Sequence, residues 1–552
     1  MTTNTRLGAV PSILLVLLLA LAWFGPLDMR ALVKSDEGRY AEIAREMHVS
    51  GDWVTPRLND LKYFYKPPLQ YWATAAAYGT MGESAFTARL WPALTGFLTV
   101  LFAGFTARRV FGAQYAAPVA AVLASALWWI GLSHANSLDA GVSSFMAAAL
   151  FALMLAQRDG VDRNAERGWM LACWAAMALA VLSKGLIGIV LPGAALVAYT
   201  LLARDWTVWR RLHILPGAIL FVAIAAPWFV AVTRANPEFF HYFFIHEHFE
   251  RFLTTVSRRT APWWYFVPLL LASVLPWLAA LPPAALAAGR RSAQSNGFRP
   301  ALLALVWSAV IFLFFSVSSS KLPAYILPVV PALALLIGLW LPAARGRGVL
   351  AVAALAGVLG AAGVGIAPFG ARFTNEPWMA DAHRVFFYWI GAGAALLLAG
   401  AIAMAAFERR GRRLAAILSL AAAGGVGTLV AMLGHEQIGR LTSARDVVAQ
   451  VGSMFAPDQP FYSVRFYDQT LPFYLKRTVT LVDYADEMEF GITREPHKVV
   501  PTLDEFMARW AADRAPSAVM GPDTFDVLSR MGVPMRVIWK DPRRVLVVKE
   551  IR

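Results

Sequence analysis

The residues of this chain best suited to chemistry are carboxylates and cations that stand where long apolar runs end. Asp36-Glu37-Gly38-Arg39-Tyr40 follows directly on the first such run. Paired acids beside a low-dielectric boundary can serve as a general base or as an electrostatic site. The same residues also suit a solvated loop held by local ion pairs. Asp139 is the one charged side chain in Ser133-His134-Ala135-Asn136-Ser137-Leu138-Asp139, where another apolar helix begins. There it can cap the helix or, if both loops share a side of a membrane, converge with Asp36.

Cations recur in the same setting. Tyr63-Phe64-Tyr65-Lys66-Pro67-Pro68 sets one lysine among aromatics ahead of a rigid turn, and Lys321 precedes Leu322-Pro323-Ala324-Tyr325 at the end of another run. A lysine so placed snorkels to the interface or offers a point charge to a phosphate. Arg39 and Arg251 would add bidentate phosphate contacts, so four separated cations point to an anionic ligand. His246-Glu247-His248-Phe249-Glu250-Arg251 offers His246 and His248 as metal ligands. On a helix, however, His246 faces with Glu250 and Glu247 with Arg251, and the spacing is not that of a zincin. A polar interfacial helix is the plainer reading. No Walker-type loop and no Ser-His-Asp arrangement stands out, which argues against an ATP-driven pump.

The elements that must hold these residues are transmembrane helices. Of the 552 residues 58% are hydrophobic and 15% charged, too apolar for an ordinary soluble protein. Apolar windows near 7–27, 86–107, 114–133, 138–157, 168–183, 185–203, 212–233, 263–287, 300–319, 323–342, 348–368, 387–407 and 412–433 predict helices. At roughly 20 residues per span this gives about thirteen crossings. The first window reads as a span rather than a cleaved signal peptide, because many more follow it.

The net charge of +15 does not imply nucleic acid. Much of the excess is arginine in alternate loops: 108–109, 158–167, 204–211, 290–299, 345–347 and 409–413. By the positive-inside rule those loops and the N-terminus are cytoplasmic, and everything after about residue 434 is outside. The opposite set of loops, 28–85, 133–139, 234–262, 316–322 and 369–386, carries the acids, histidines and aromatics. Amphipathic stretches in 28–85 and 234–262 predict helices lying at the interface. The single cysteine, Cys173, permits no intrachain disulfide. From 435 onward strand-like runs (Phe461–Phe466, Thr478–Val482, Ser517–Met520, Met535–Trp539, Val545–Val548) alternate with helical ones (Leu503–Ala512, Thr524–Met531), predicting a small α/β domain.

Ser35-Asp36-Glu37-Gly38-Arg39-Tyr40-Ala41 resembles the acidic first-loop motif of polyprenyl-phosphate-dependent glycosyltransferases of the GT-C fold. Ser50-Gly51-Asp52-Trp53-Val54-Thr55-Pro56, Leu61-Lys62-Tyr63-Phe64 and Lys66-Pro67-Pro68-Leu69-Gln70-Tyr71-Trp72 are similar to the lipid A 4-amino-4-deoxy-L-arabinose transferase family, itself related to protein O-mannosyltransferases. Asn136-Ser137-Leu138-Asp139, Ser183-Lys184-Gly185, Glu247-His248 with Arg251-Phe252, and Ser320-Lys321-Leu322-Pro323-Ala324-Tyr325-Ile326-Leu327-Pro328 match as well. The resemblance spans the transmembrane region and is weaker over 435–552. One departure is Tyr65, where the family commonly has an acid before Lys-Pro-Pro.

The resemblance implies an all-α polytopic GT-C protein of the bacterial inner membrane, with residues 1–434 as transferase domain and 435–552 as a periplasmic α/β domain. It implies transfer of aminoarabinose from undecaprenyl phosphate to a lipid A phosphate at the periplasmic face, an activity that gives resistance to polymyxin. Asp36, Glu37 and Asp139 are then the catalytic acids. Lys66, Arg39, Arg251, Lys321, Tyr325, Tyr63 and Tyr65 bind the lipid phosphate or sugar. No cofactor is required by this scheme, and a divalent metal, through His246 and His248, is compatible with it. The partners are the lipid-linked donor, the lipid A acceptor and membrane lipids, with no nucleic acid. Another polyprenyl-phosphate glycosyltransferase of the protein O-mannosyltransferase type, or a flippase of lipid-linked sugars, would share the same charged loops.

Overall fold

The structure, a computed structural model, describes residues 9–250, 261–456 and 458–550, without the side chains of 246–250. Among the described residues ten helices are long and apolar enough to cross a bilayer, or twelve if two bent pairs each count as one span. The thirteen windows all fall on helical segments, but the 17-residue helix Ile187–Ala203 is shorter than a full crossing. The chain is thus a multi-pass membrane protein. Helices such as Ile214–Ala235 keep Leu215, Ile219 and Val222 exposed on their outer faces, as lipid contact requires.

In chain order, the segments that build the site region are α1 (Ala9–Phe24), α2 (Asp36–Ser50), α3 (Leu69–Met81), α4 (Ala85–Val110), α5 (Ala116–Ser125), α6 (Leu127–Ser133), α7 (Leu138–Gln157), α8 (Arg163–Lys184) and α9 (Ile187–Ala203). Local chemistry sets their ends. Ser84 and Thr87 form a capping box at the start of α4, and Asp162 caps α8 by accepting from the Ala165 amide at 2.9 Å. Gly51, at φ 71°, closes α2 in the left-handed conformation that a Cβ disfavours.

The two bent pairs meet at their breaks. α5 and α6 diverge by 63° at Ala126, and Trp263–Ser273 and Leu278–Arg290 by 109° around Leu275-Pro276. The Leu127 amide donates to the Leu275 carbonyl at 3.0 Å, and Trp277 Nε1 donates to Ser125 Oγ at 2.9 Å. Each break thus satisfies backbone or hydroxyl groups that the other exposes, which is how broken helices are tolerated inside a bundle.

The first loop is more buried than an interfacial helix would be. On α2, Tyr40, Ile43, Ala44 and Met47 pack with Tyr71, Ala75 and Tyr78 of α3 and with Phe461, Leu471 and Val447 near the C-terminus. A Cβ at Gly38 would stand 2.6 Å from the Gln469 carbonyl oxygen, so glycine permits the close approach. α2 is therefore covered by the C-terminal region instead of lying open. Between α2 and α3, β1 (Arg57–Leu58) and β2 (Leu61–Lys62) form a hairpin. Its turn residues Asn59 and Asp60 have φ of 55° and 61°, and their amides donate to the Glu46 carboxylate at 2.5 and 2.7 Å.

The last apolar helical stretch runs to Thr442, beyond residue 434. After it, β3 (Phe461–Val464), β4 (Thr480–Val482), β5 (Ser517–Met520), β6 (Met535–Lys540) and β7 (Val545–Lys549) form one sheet in the order β4-β3-β5-β7-β6. β4, β3 and β5 are parallel, and β7 and β6 are antiparallel additions. β5 (Ser-Ala-Val-Met) is buried along its whole length, as a central strand covered on both faces must be. The fold class expected from the sequence, an α-helical bundle with a small C-terminal α/β sheet region, is what the structure contains.

Candidate active site

The chemistry gathers at the end of the bundle where the first loop lies. α7 and α8 run side by side, and α8 ends where α7 begins. Asp139 in the first turn of α7 therefore meets Lys184 in the last turn of α8, and their side chains form an ion pair. Each charge also complements the dipole of its own helix end. The Ser137 side chain makes no capping bond, and Asp139 faces a lysine rather than acting as cap. The Lys184 ammonium lies 4.9 Å from the centre of the Tyr325 ring, a cation–π geometry. Asp36 is close enough to interact electrostatically with Lys184. Asp36, Asp139, Lys184 and Tyr325 thus form one neighbourhood drawn from four distant parts of the chain.

Asp36 keeps a solvent-facing carboxylate, 47% exposed, with Arg39 Nη1 at 2.8 Å. Arg39 also pairs through Nη2 with Glu487 of the C-terminal region. Its guanidinium is already neutralised by two carboxylates, unlike the open phosphate contact that the sequence suggested.

Glu37 points the other way. Oε1 accepts from Arg89 Nε at 2.7 Å and the Asn136 amide at 3.0 Å, and Oε2 from Arg89 Nη2 at 2.8 Å and the Val33 amide at 3.1 Å. Arg89, wholly buried in α4, donates its remaining bonds to the carbonyls of Leu27, Arg30 and Ala31 at 2.7–2.8 Å. Burial, the largest single influence, would raise the Glu37 carboxyl, but the charge and hydrogen bonds of Arg89, the Arg30 charge and the Asn136 amide together hold the group at about 2. This saturated pair ties the chain before α2 to α4 and to Asn136, and leaves Glu37 no lone pair for a substrate. Its neighbour Asn136 also accepts from Gln70 of α3 at 2.8 Å, which extends the same network.

Of the remaining expected residues, Lys321 is only 8% exposed and donates to the Ser318 carbonyl at 2.5 Å, within its own loop. Tyr63 is buried, its ring 4.7 Å from that of Tyr65 and tilted by 33°, and Tyr65 meets Tyr242 edge-on at 5.5 Å. Tyr242 in turn lies 3.9 Å from the Phe490 ring. An aromatic cluster therefore occupies the place before Lys66 where an acid was expected. Arg251 and the side chains of His246 and His248 lie outside the described residues. Among the described residues no three His, Cys, Asp or Glu side chains converge as a metal site.

Sequence reasoning gave no role to two participants, although Ser183-Lys184-Gly185 was among the matching motifs. Lys184 is a lone cation ending an apolar run, the same signal that singled out Lys66 and Lys321. Arg89 is an ionisable residue inside a span, a rare and expensive placement that flags a role. Unpartnered polar groups add to the neighbourhood. The hydroxyls of Tyr71, Ser137, Ser143 and Ser144 and Trp91 Nε1 are buried without hydrogen-bond partners among the described residues. Trp91 Nε1 lies 3.5 Å from where a Cβ on Gly141 would stand, against α7 beyond Asp139. Buried donors left unsatisfied are costly.

Comparison with known proteins agrees with this arrangement. A family described as dolichyl-phosphate-mannose-protein mannosyltransferase matches residues 10–243, and the aminoarabinose transferase C-terminal domain matches 447–549. An undecaprenyl phosphate-α-4-amino-4-deoxy-L-arabinose arabinosyl transferase of Erwinia tasmaniensis is 31% identical over 91% of both chains. The crystal structure of ArnT from Cupriavidus metallidurans bound to undecaprenyl phosphate is 40% identical, covers 98% of each chain and superposes with a TM-score of 0.94. The apo structure of that protein gives 0.92 at 41% identity over 98% of each chain.

Proposed function

Since the chain belongs to the family of undecaprenyl phosphate-aminoarabinose arabinosyl transferases, we propose that it moves 4-amino-4-deoxy-L-arabinose from undecaprenyl phosphate to a phosphate of lipid A. It is a membrane-embedded glycosyltransferase, and the observation that carries the reading is the Asp139–Lys184–Tyr325 cluster beside the open carboxylate of Asp36.

In the proposed step an oxygen of the acceptor phosphate attacks the anomeric carbon. The bond from that carbon to the undecaprenyl phosphate oxygen breaks, and the lipid phosphate leaves with the electron pair. The acceptor is already an anion, so no residue has to remove a proton. Asp36, half-exposed and held by one arginine contact, receives the ammonium group of the sugar. Asp139 lends negative charge as the anomeric carbon becomes oxocarbenium-like, as carboxylates do in other sugar transfers. Lys184 is a positioning residue that fixes the Asp139 carboxylate from the neighbouring helix. Lys66 is the cation assigned to the departing phosphate, as the Lys-Pro-Pro resemblance implies. Glu37 holds the first loop on α4 through Arg89 and takes no part in bond making. A divalent cation is compatible with this scheme and none of its steps depends on one.

The arginine-rich loops support an N-terminus in the cytoplasm, with the site and the sheet region on the periplasmic side of the inner membrane. Expression of Asp36→Ala, Lys66→Ala and wild-type protein in a transferase-null strain tests the assignment. Wild type should restore the aminoarabinose adduct on lipid A and resistance to polymyxin, and both variants should insert yet restore neither. Full restoration by either variant contradicts its role.

A further inference from the structure

A second recess lies at the opposite end of the bundle from Asp139. α7 has 20 residues, about 30 Å at ~1.5 Å per residue, and the recess adjoins the loop beyond its far end. There a cavity of about 180 Å³ is bounded by Val110, Phe111, Arg291, Gln294 and Arg299. A second, of about 90 Å³, shares Arg291 and Ala301 with it and is otherwise apolar, lined by Ala287, Ala288, Leu336, Leu339 and Trp340. A charged recess and an apolar groove thus adjoin across Arg291 and Ala301.

The walls are built by the protein's own bonds. Gln294 Nε2 donates to the Val110 carbonyl at 3.4 Å, and Gln294 Oε1 accepts from the Asp159 amide at 3.0 Å. Arg299 Nη2 donates to the Gly289 carbonyl at 2.8 Å, and its backbone amide donates to the Tyr199 hydroxyl at 2.9 Å. The Arg291 guanidinium sits 5.2 and 5.4 Å from the ring centres of Phe111 and Tyr115. Neither arginine has a carboxylate partner among the described residues. Asp159, the acid bonded to this loop, turns its carboxylate to the amides of Ser295 and Asn296 at 2.6 and 3.0 Å. Two positive charges therefore line one recess, with no carboxylate paired to either among the described residues.

We infer that this recess and groove bind an anionic phospholipid, its headgroup phosphate between Arg291 and Arg299 and one acyl chain along Ala287, Ala288, Leu336 and Trp340. Guanidinium groups match phosphate geometry, and the apolar groove has a use only if the anion carries a hydrocarbon chain. A free phosphate would leave the groove empty, and a neutral lipid would leave the charges unmatched. The site is separate from the transferase cluster, so its failure would leave the proposed reaction untouched.

Native mass spectrometry of the full-length purified protein, offered equal phosphatidylglycerol and phosphatidylcholine, tests this. Wild type should retain phosphatidylglycerol selectively. Arg291→Gln with Arg299→Gln should weaken that binding by about 30-fold, about five-fold per arginine, while Arg291→Lys keeps most of it. Ala287→Trp should also weaken it by filling the groove with both charges intact. Arg347→Gln, at an exposed arginine outside the recess, should change nothing. Unchanged melting temperatures show that each variant is folded. Equal retention of the two lipids by wild type, or equal loss in Arg347→Gln, overturns the proposal. Displacement by millimolar inorganic phosphate together with no effect of Ala287→Trp reduces the site to one for free anions and overturns it as well.

Discussion

Replacing Glu37 with glutamine separates a residue that holds the site from one that reacts in it. The side chain of Arg89 is 0% exposed, and Glu37 is its one carboxylate partner among the described residues. In Glu37→Gln the guanidinium keeps the carbonyls of Leu27, Arg30 and Ala31 and loses two charged hydrogen bonds. Stranding one partner of a buried pair costs about 3–5 kcal/mol. With about 2 °C per kcal/mol for a large chain, the melting temperature should fall by roughly 5–10 °C. The Glu37→Leu/Arg89→Met double variant should lose much less than the sum of the single losses, because no charge is left buried. Thermal unfolding of purified protein in nanodiscs, with transfer assayed well below each midpoint, gives both readouts. Activity per folded molecule should survive in Glu37→Gln at low temperature. An unchanged melting temperature with transfer abolished would refute the structural assignment and return Glu37 to the catalytic acids.

The same pair predicts a pH dependence. The Glu37 carboxyl is held at about 2, below its ordinary value, so its contribution is complete above about pH 4.5 and is lost as pH falls toward 2. Melting temperatures recorded down this range should decline for wild type, and Glu37→Gln should lack that component. Asp139→Asn should lower transfer by at least ten-fold without unfolding the protein, and Lys184→Gln should follow it with a smaller loss. Full activity of Asp139→Asn, which still suits a helix N-terminus, would leave only a helix-end role. Gly38→Val should loosen the C-terminal region from α2, because the new Cβ would stand 2.6 Å from the Gln469 carbonyl. Faster proteolytic release of the C-terminal region measures this, and wild-type resistance to protease would contradict it.

Much of the scaffold was legible because bilayer solvation writes long apolar windows into a sequence. The helix Leu503–Ala512 and the strand Ser517–Met520 match their expected bounds, since the amphipathic period marks the first and Pro516 and Gly521 bound the second. The count of crossings was less legible, because Ile187–Ala203 is short and two spans are broken. Composition shows apolar length and cannot show a bend. In the candidate site, Asp36 and Asp139 were singled out as carboxylates standing where apolar runs end or begin. What spacing could not give was pairing across the fold. Nothing local links Glu37 with Arg89, Arg39 with Glu487 or Asp139 with Lys184, separations set by helix packing alone. The burial of α2 was hidden for the same reason, as its cover comes from residues near the other end of the chain.

The central claim is tested most directly by mixing the purified, reconstituted protein with undecaprenyl phosphate-aminoarabinose and lipid A and weighing both lipids. Lipid A should gain one aminoarabinose residue on a phosphate as undecaprenyl phosphate is released in equal amount. A folded protein that leaves both lipids unchanged, or that moves the donor across the membrane without cleaving it, would contradict it.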